Sequence, residues 1–314
     1  NVVLNSAMKA ANKYERAICV MYDLSGMRPG DEEVLLKDIA DIARRHALKD
    51  HAKNPSYLYH NGKPLVTVWG VGFNDRRRYG LNEAEKIING LKSQGFSVML
   101  GVPTHWRELN GDTESDPRLH ELIKRCDVVM PWFVGRYNEN SYPRYQKLIK
   151  DDIAWAKKNK VDYAPLAFPG FSWRNMKGHE NSVQIPRNKG SFLWKQLSGA
   201  IKEGAEMIYV AMFDEIDEGT AIFKCLNKSD VPSNVPETDY YVWYNKAKGS
   251  YGHGSSPKDE SQLEGGWCKK ASELNIVFQG VEDDLPTDHY LWLTGQARKM
   301  LRGEVPLKNA WPAR

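Results

Sequence analysis

Ile208-Tyr-Val-Ala-Met-Phe-Asp-Glu-Ile-Asp-Glu-Gly-Thr-Ala-Ile-Phe223 runs from an apolar stretch into a knot of acids without a spacer. Residues 208–213 read as a fully buried strand. Asp214, Glu215, Asp217 and Glu218 follow at once, and Gly219-Thr220 then supplies a turn and a helix start. Carboxylates crowded at the end of a buried strand repel one another, and desolvation raises their pKa values. Proteins keep such an arrangement mainly where acid–base chemistry or a cation uses it. The competing reading is a solvated acidic turn.

Working outward, strand-like runs occupy residues 17–22, 64–69, 96–102, 128–134, 161–168 and 207–213. Amphipathic helical spacing fills 31–45, 82–92, 117–125, 145–158 and 191–204 between them, and 288–301 at the end. The strand spacing is about forty residues, with no hairpin signal between strands, which specifies parallel βαβ units. A doubly wound nucleotide fold calls for a glycine-rich phosphate turn, and no GxGxxG or GxxxxGK[ST] is present. Instead, residues able to bind or react follow nearly every strand: Asp23, Trp69, His105-Trp106, Trp132 and Arg136, Trp173-Arg174, Glu215 and Glu218. That is the requirement of the mouth of a (β/α)8 TIM barrel, an α/β fold. Six strands are legible, so the first two are expected upstream of Asn1. Residues 1–226 are read as barrel, 227–287 as an irregular excursion with possible short strands, 288–304 as the closing helix and 305–314 as a tail.

Composition removes several function classes. The chain has 314 residues, 41% hydrophobic and 27% charged, as in a globular protein. No apolar run approaches the ~20 residues of a membrane span. The +4 charge is spread over 44 basic and 40 acidic residues, too mild for a nucleic-acid partner. Arg76-Arg77-Arg78 reads as a solvated loop. Cys19, Cys126, Cys225 and Cys268 have no zinc spacing. Cys19 and Cys126 read as core residues, and pairing of Cys225 with Cys268 is left open. Residues 1–14 carry no signal peptide, and the abrupt helical opening implies upstream material.

Ten Trp and fifteen Tyr contribute to an 11% aromatic content, and placement matters more than the count. A sugar offers apolar C–H faces, on which Trp rings stack, and hydroxyls, which acids and arginines bind. Trp69, Trp106, Trp132 and Trp173 all fall at strand ends; together they indicate a carbohydrate-lined cleft, although each alone reads equally as packing. Glu215 and Glu218 share a face if their segment is helical and oppose each other if it is extended. Glycoside hydrolysis needs one protonated and one ionised carboxylate, and crowding drives two pKa values apart. Asp23 is a third acid or a turn residue. His105, Arg136 and Arg174 are candidate hydroxyl ligands.

The 214–220 run resembles the strand-eight motif of glycoside hydrolase family 99 and its family 71/99-like bacterial relatives, of which endo-α-mannosidases are the best known. Met21-Tyr-Asp-Leu-Ser-Gly26 and Pro103-Thr-His-Trp106 resemble that group too. Leu285-Pro-Thr-Asp-His-Tyr-Leu-Trp-Leu293 is similar to bacterial relatives labelled xylosidase/arabinosidase. The resemblance spans residues 5–304 and is weakest over 249–280. It implies that Glu215 is the general base and Glu218 the general acid of a retaining reaction. In that reaction the base takes the proton of the substrate 2-hydroxyl, giving an epoxide-like intermediate. It also implies secretion, a glycan partner and no cofactor or metal. Ile216-Asp217 stands where endo-mannosidases carry an aromatic, and the early-strand acid and aromatics of those enzymes are missing. Two other readings compete: a non-catalytic carbohydrate-binding barrel, and a metal-dependent hydrolase using Asp23, His105, Glu215 and Glu218.

Overall fold

The computed structural model describes residues 2–177, 183–233, 241–254, 256–274, 279–312 and 314. The chain divides into two compact units, Asn1–Trp132 with Asp151–Pro165, and Phe133–Lys150 with Leu166–Arg314.

The first unit opens with helix α1 (Val2–Lys13), strand β1 (Val20–Asp23) and helix α2 (Asp31–Arg45). A short strand β2 (Tyr59–His60) turns into β3 (Lys63–Trp69), followed by α3 (Leu81–Ser93), β4 (Ser97–Val102), α4 (Arg118–Arg125) and β5 (Val128–Pro131). The second half of α5 (Tyr142–Asn159) and strand β6 (Asp162–Tyr163) complete it. Strands pair in parallel in the order β1-β3-β4-β5-β6. This order follows the chain without the reversal that marks a doubly wound sheet. Leu35, Ile39 and Ile42 of α2 and Ala84, Ile87, Ile88 and Leu91 of α3 are buried, at the spacing of one helical face. Asp31, Glu32 and Glu33 occupy the first turn of α2 and Arg44-Arg45 its last, matching the helix dipole. Every residue of β4 is buried, as a central parallel strand requires.

The second unit holds β7 (Leu166–Ala167), β8 (Phe171–Ser172), α6 (Trp173–Lys177), β9 (Gln184–Ile185), α7 (Ser191–Lys202) and β10 (Tyr209–Val210). Strands β7 and β10 pair in parallel, and β8 with β9 antiparallel. Next come β11 (Tyr241–Asn245), β12 (Ser250–Gly254), α8 (Glu260–Leu263) and β13 (Trp267–Lys270), and finally α9 (His289–Leu301). Leu193, Trp194 and Leu197 of α7 pack with Tyr290, Leu293, Ala297 and Met300 of α9 in one apolar cluster.

The helices and parallel strands fall where periodicity places them, and the differences have local causes. Tyr59–His60 and Lys63–Trp69 form a hairpin across Asn61-Gly62, whose φ values of 50° and 73° suit the primed turn of that dipeptide; the expectation of no hairpins overlooked it. The single strand expected at 161–168 is broken at Pro165, which has no N–H for a ladder. Residues 208–213 are not a fully buried strand: β10 covers two half-buried residues, and Phe213 is 59% exposed. No helix begins at Gly219-Thr220; residues 216–219 form a turn, with Gly219 at φ +69°. Within 227–287 the short strands make a three-stranded antiparallel sheet, β12-β11-β13. Residues 234–240, 255 and 275–278 of that stretch lie outside the described residues.

Candidate active site

Parallel pairing in the first unit brings several candidate residues to the C-terminal strand ends. Asp23 is in register with Trp69 across β1 and β3, and Trp69 with Gly101 across β3 and β4. The Trp132 N–H donates to the Val102 carbonyl at 2.8 Å. Trp69 and Trp132 consequently meet edge to face, ring centroids 5.2 Å apart. A Cβ at Gly101 would lie 2.6 Å from Trp69 Cδ1, so glycine there makes room for the indole. Both rings are half-buried.

Arg77 stacks its guanidinium 5.0 Å from the Trp69 ring centroid and 4.4 Å from that of Phe73, and binds Asp75 at 2.8 Å. Its side chain is only 12% exposed, so the solvated-loop reading of the triple arginine fails at its middle residue. The cation–π contacts and the ion pair outweigh the loss of hydration.

Asp23 is exposed and accepts a hydrogen bond from the Ser25 N–H at 2.7 Å, the geometry of a turn aspartate. His105 is half-buried in the loop after β4. That loop is held by Asp112, whose carboxylate accepts from the Thr104 and His105 N–H groups at 3.1 Å each. Trp106 corrects the sequence reading. It is 0% exposed and packs edge to face on Trp155 at 4.8 Å, so its ring is core and offers no face to a sugar.

In the second unit the acids sit on a tied-down loop. Thr220 donates from N to the Glu215 carbonyl at 3.1 Å, Gly219 N to the Ile216 carbonyl at 2.9 Å, and Ser172 N to the Glu218 carbonyl at 2.7 Å. That last bond sets Trp173-Arg174, the residues directly after Ser172, beside the loop. Trp173 is 37% exposed and stands edge to face on Phe171, centroids 5.3 Å apart. With the Gln184 amide oriented to satisfy it, the Gln184 oxygen accepts from Arg174 Nε and Nη1 at 3.1 Å each. Arg136 is exposed, and its carbonyl accepts from Tyr145 Oη at 2.9 Å.

Glu215 and Glu218 are both half-buried. The Glu215 carboxyl is hydrogen-bonded to that of Asp217, and this bond is the main reason its pKa is pushed up to about 7. Burial and the charges of Asp217, Glu218 and Asp214 add to it. Burial, then the charge of Asp217, raises Glu218. Among the described residues no cation pairs with either glutamate to oppose these shifts. A carboxyl group titrating near neutrality serves as acid or base at physiological pH.

Sequence reasoning missed the residues that hold this loop. Arg187, 3% exposed, donates from Nη1 to the Gly219 carbonyl at 2.8 Å and from Nη2 to the Ala221 carbonyl at 2.7 Å. Asn175 donates to the Ile216 carbonyl at 3.3 Å and the Gln279 carbonyl at 2.8 Å, and accepts from Gln279 N at 2.8 Å. These bonds join side chains to carbonyls 32 to 104 positions away, and no local pattern announces them. All four cysteines are free thiols. Among the described residues no three His, Cys, Asp or Glu side chains are grouped to hold a metal ion. Nor, among them, is any helix long and apolar enough to cross a membrane.

A parallel sheet in chain order, with acids and aromatics after its strands, defines a mixed α/β protein. The chain is similar to the solved GH99 endo-α-mannosidase from Bacteroides thetaiotaomicron, at 15% identity and TM-score 0.60, over 96% of this chain and 71% of that one. It is likewise similar to that enzyme in complex with bis-tris-propane, at 15% identity and TM-score 0.57, over 96% of this chain and 76% of the other. At such identity the likeness is one of fold. A search of curated proteins finds no match to the sequence. The chain belongs to the family described as a domain of unknown function, DUF5010, whose model matches residues 50–244.

Proposed function

We propose that this protein is a glycoside hydrolase on a (β/α)8 barrel, cleaving a glycan outside the cytoplasm with retention of configuration. The observation that carries the reading is the Glu215 carboxyl, bonded to Asp217 and titrating near 7, three residues from a second raised carboxyl, Glu218. The shared fold with an endo-α-mannosidase supports it. Glu215 takes the proton of the sugar 2-hydroxyl, whose oxygen attacks the anomeric carbon. Glu218 gives its proton to the leaving glycosidic oxygen as that bond breaks. Water then opens the three-membered ring at the anomeric carbon, Glu218 taking the proton of the water and Glu215 giving its proton back to the 2-oxygen. A base titrating near 7 suits an alcohol better than an ordinary carboxylate does, because proton affinity rises with pKa. Two acids on one loop suit this chemistry, since neither stands behind the anomeric carbon as nucleophile.

In the first unit Asp23, Trp69, His105 and Trp132 offer hydroxyl ligands and stacking faces. In the second, Trp173 and Arg174 do the same beside the acids, and the exposed Arg136 is a further candidate hydroxyl ligand. The test is Glu218→Gln, assayed on a panel of glycans that includes α-mannans. Loss of turnover with binding retained supports the hydrolase. Weakened binding in a protein that never shows turnover turns the reading into a carbohydrate-binding module.

A further inference from the structure

Arg187, which binds the Gly219 and Ala221 carbonyls of the acidic loop, is itself held by residues 282–290 of the same unit. Its guanidinium lies 4.0 Å from the Tyr290 ring centroid, and a further bond joins it to the Tyr290 hydroxyl. That hydroxyl donates to Glu282 Oε2 at 2.7 Å. The other oxygen of the half-buried Glu282, Oε1, accepts from the Lys189 N–H at 2.9 Å. Lys189 follows Arg187 by two positions, and Gly190 N donates back to the Arg187 carbonyl at 3.0 Å. Glu282 thus grips the buried arginine twice, through the ring against its guanidinium and through the backbone just beyond it. An ionised carboxylate suits this place because it accepts at both oxygens, whereas an amide would set an N–H against one of the two donors.

We infer that Glu282 is a positioning residue for the two glutamates, acting through Tyr290 and Arg187 to fix the turn that carries them. Its catalytic meaning rests on the hydrolase reading above; the contacts do not. The carbonyls that Arg187 binds bracket Thr220, two positions after Glu218. Thr220 N in turn donates to the Glu215 carbonyl at 3.1 Å. A displacement of Arg187 therefore reaches both carboxyl groups. A misplacement of about 1 Å at a reacting group can cost about a hundredfold in rate, so a grip two side chains away is able to set turnover. The competing reading gives Glu282 a structural role only, steadying its own segment and leaving the acids as they are.

The test is carboxyl ¹³C titration of Glu215, which needs no turnover, in wild type, Glu282→Ala, Tyr290→Phe and the double variant. Tyr290→Phe keeps the ring against the guanidinium and removes only the hydroxyl. Each single variant is expected to lower the Glu215 midpoint by about half a unit or more, because a loosened turn admits water and parts Glu215 from Asp217. The double variant is expected to shift no further than Glu282→Ala alone, since both changes cut one route. Additive shifts overturn the route through Tyr290. An unmoved midpoint in Glu282→Ala overturns the positioning role, with or without glycan hydrolysis. Asp284→Asn removes the exposed ion pair of Lys189 with Asp284 and is expected to leave the midpoint in place. A shift there equal to that of Glu282→Ala overturns the assignment to Glu282. On a glycan that wild type cleaves, Glu282→Ala is expected to lower kcat about tenfold or more with KM little changed; an effect confined to KM overturns the positioning role. A shifted midpoint in a protein without turnover removes the hydrolase and leaves the positioning of the carboxyl groups standing.

Discussion

The Glu215 carboxyl is hydrogen-bonded to the carboxyl of Asp217, two residues on, rather than to any base or cation among the described residues. That bond needs the proton on Glu215, so ionising Glu215 breaks it and sets a second negative charge beside Asp217, which raises the Glu215 pKa.

Asp217→Asn replaces the carboxylate that accepts from Glu215 and removes one negative charge. The expected outcome is a fall of about one unit or more in the Glu215 pKa. If Glu215 is the base, the acidic limb of the pH–rate profile moves to lower pH by the same amount. Carboxyl ¹³C titration of the variant and of wild type checks the shift directly, and an unmoved Glu215 refutes the pairing.

The same geometry predicts how stability varies with pH. Glu215 titrates near 7 in the folded protein against an ordinary value of 4.5, so the folded state holds its proton more tightly over that window. Stability therefore falls as pH rises from about 4.5 to 7. Asp152, raised to about 7 chiefly by burial, adds a slope of the same sign. Glu215→Gln is expected to be more stable than wild type at pH 8, by less than the full shift implies because solvent screens a partly exposed carboxylate, and little changed at pH 4. Urea denaturation at the two pH values measures it.

Arg187→Met keeps much of the side-chain volume but strands the Gly219 and Ala221 carbonyls. A loss of about 2–4 kcal/mol is expected, since hydrogen bonds to a charged donor are among the stronger ones. Amide exchange at residues 219–222 is expected to accelerate more than at α7, and uniform acceleration would mean the loop is held some other way.

The tryptophans separate into two classes. Trp106→Ala is expected to cost about 3–5 kcal/mol, because a fully buried ring leaves a cavity, with no selective effect on glycan affinity. Trp173→Ala, at an exposed ring, is expected to cost under about 1 kcal/mol while weakening glycan binding. Thermal melts and affinity electrophoresis on the two variants distinguish the classes.

The alternation of β1, α2, β3, α3, β4 and α4 was legible without coordinates, because the 3.6-residue stripes of Leu35, Ile39 and Ile42 or of Ala84, Ile87 and Leu91 are local patterns. The crowding of four acids after residue 213 was legible for the same reason. Burial was not. Trp69, Trp106 and Trp132 occupy alike positions in the chain, yet Trp106 is enclosed by Trp155 from a helix about fifty positions on. Arg77 reads like its neighbours Arg76 and Arg78, and only the rings of Trp69 and Phe73 set it apart.

Periodicity and composition by themselves determined the order of helices and parallel strands and the site of the acidic loop, since both are written in runs of adjacent residues. Tertiary structure decided which indoles meet solvent, that Glu215 is partnered by Asp217, and that Arg187 and Asn175 hold the loop. Those outcomes depend on the space left by groups distant along the chain, and steric exclusion and buried hydrogen bonding act through space.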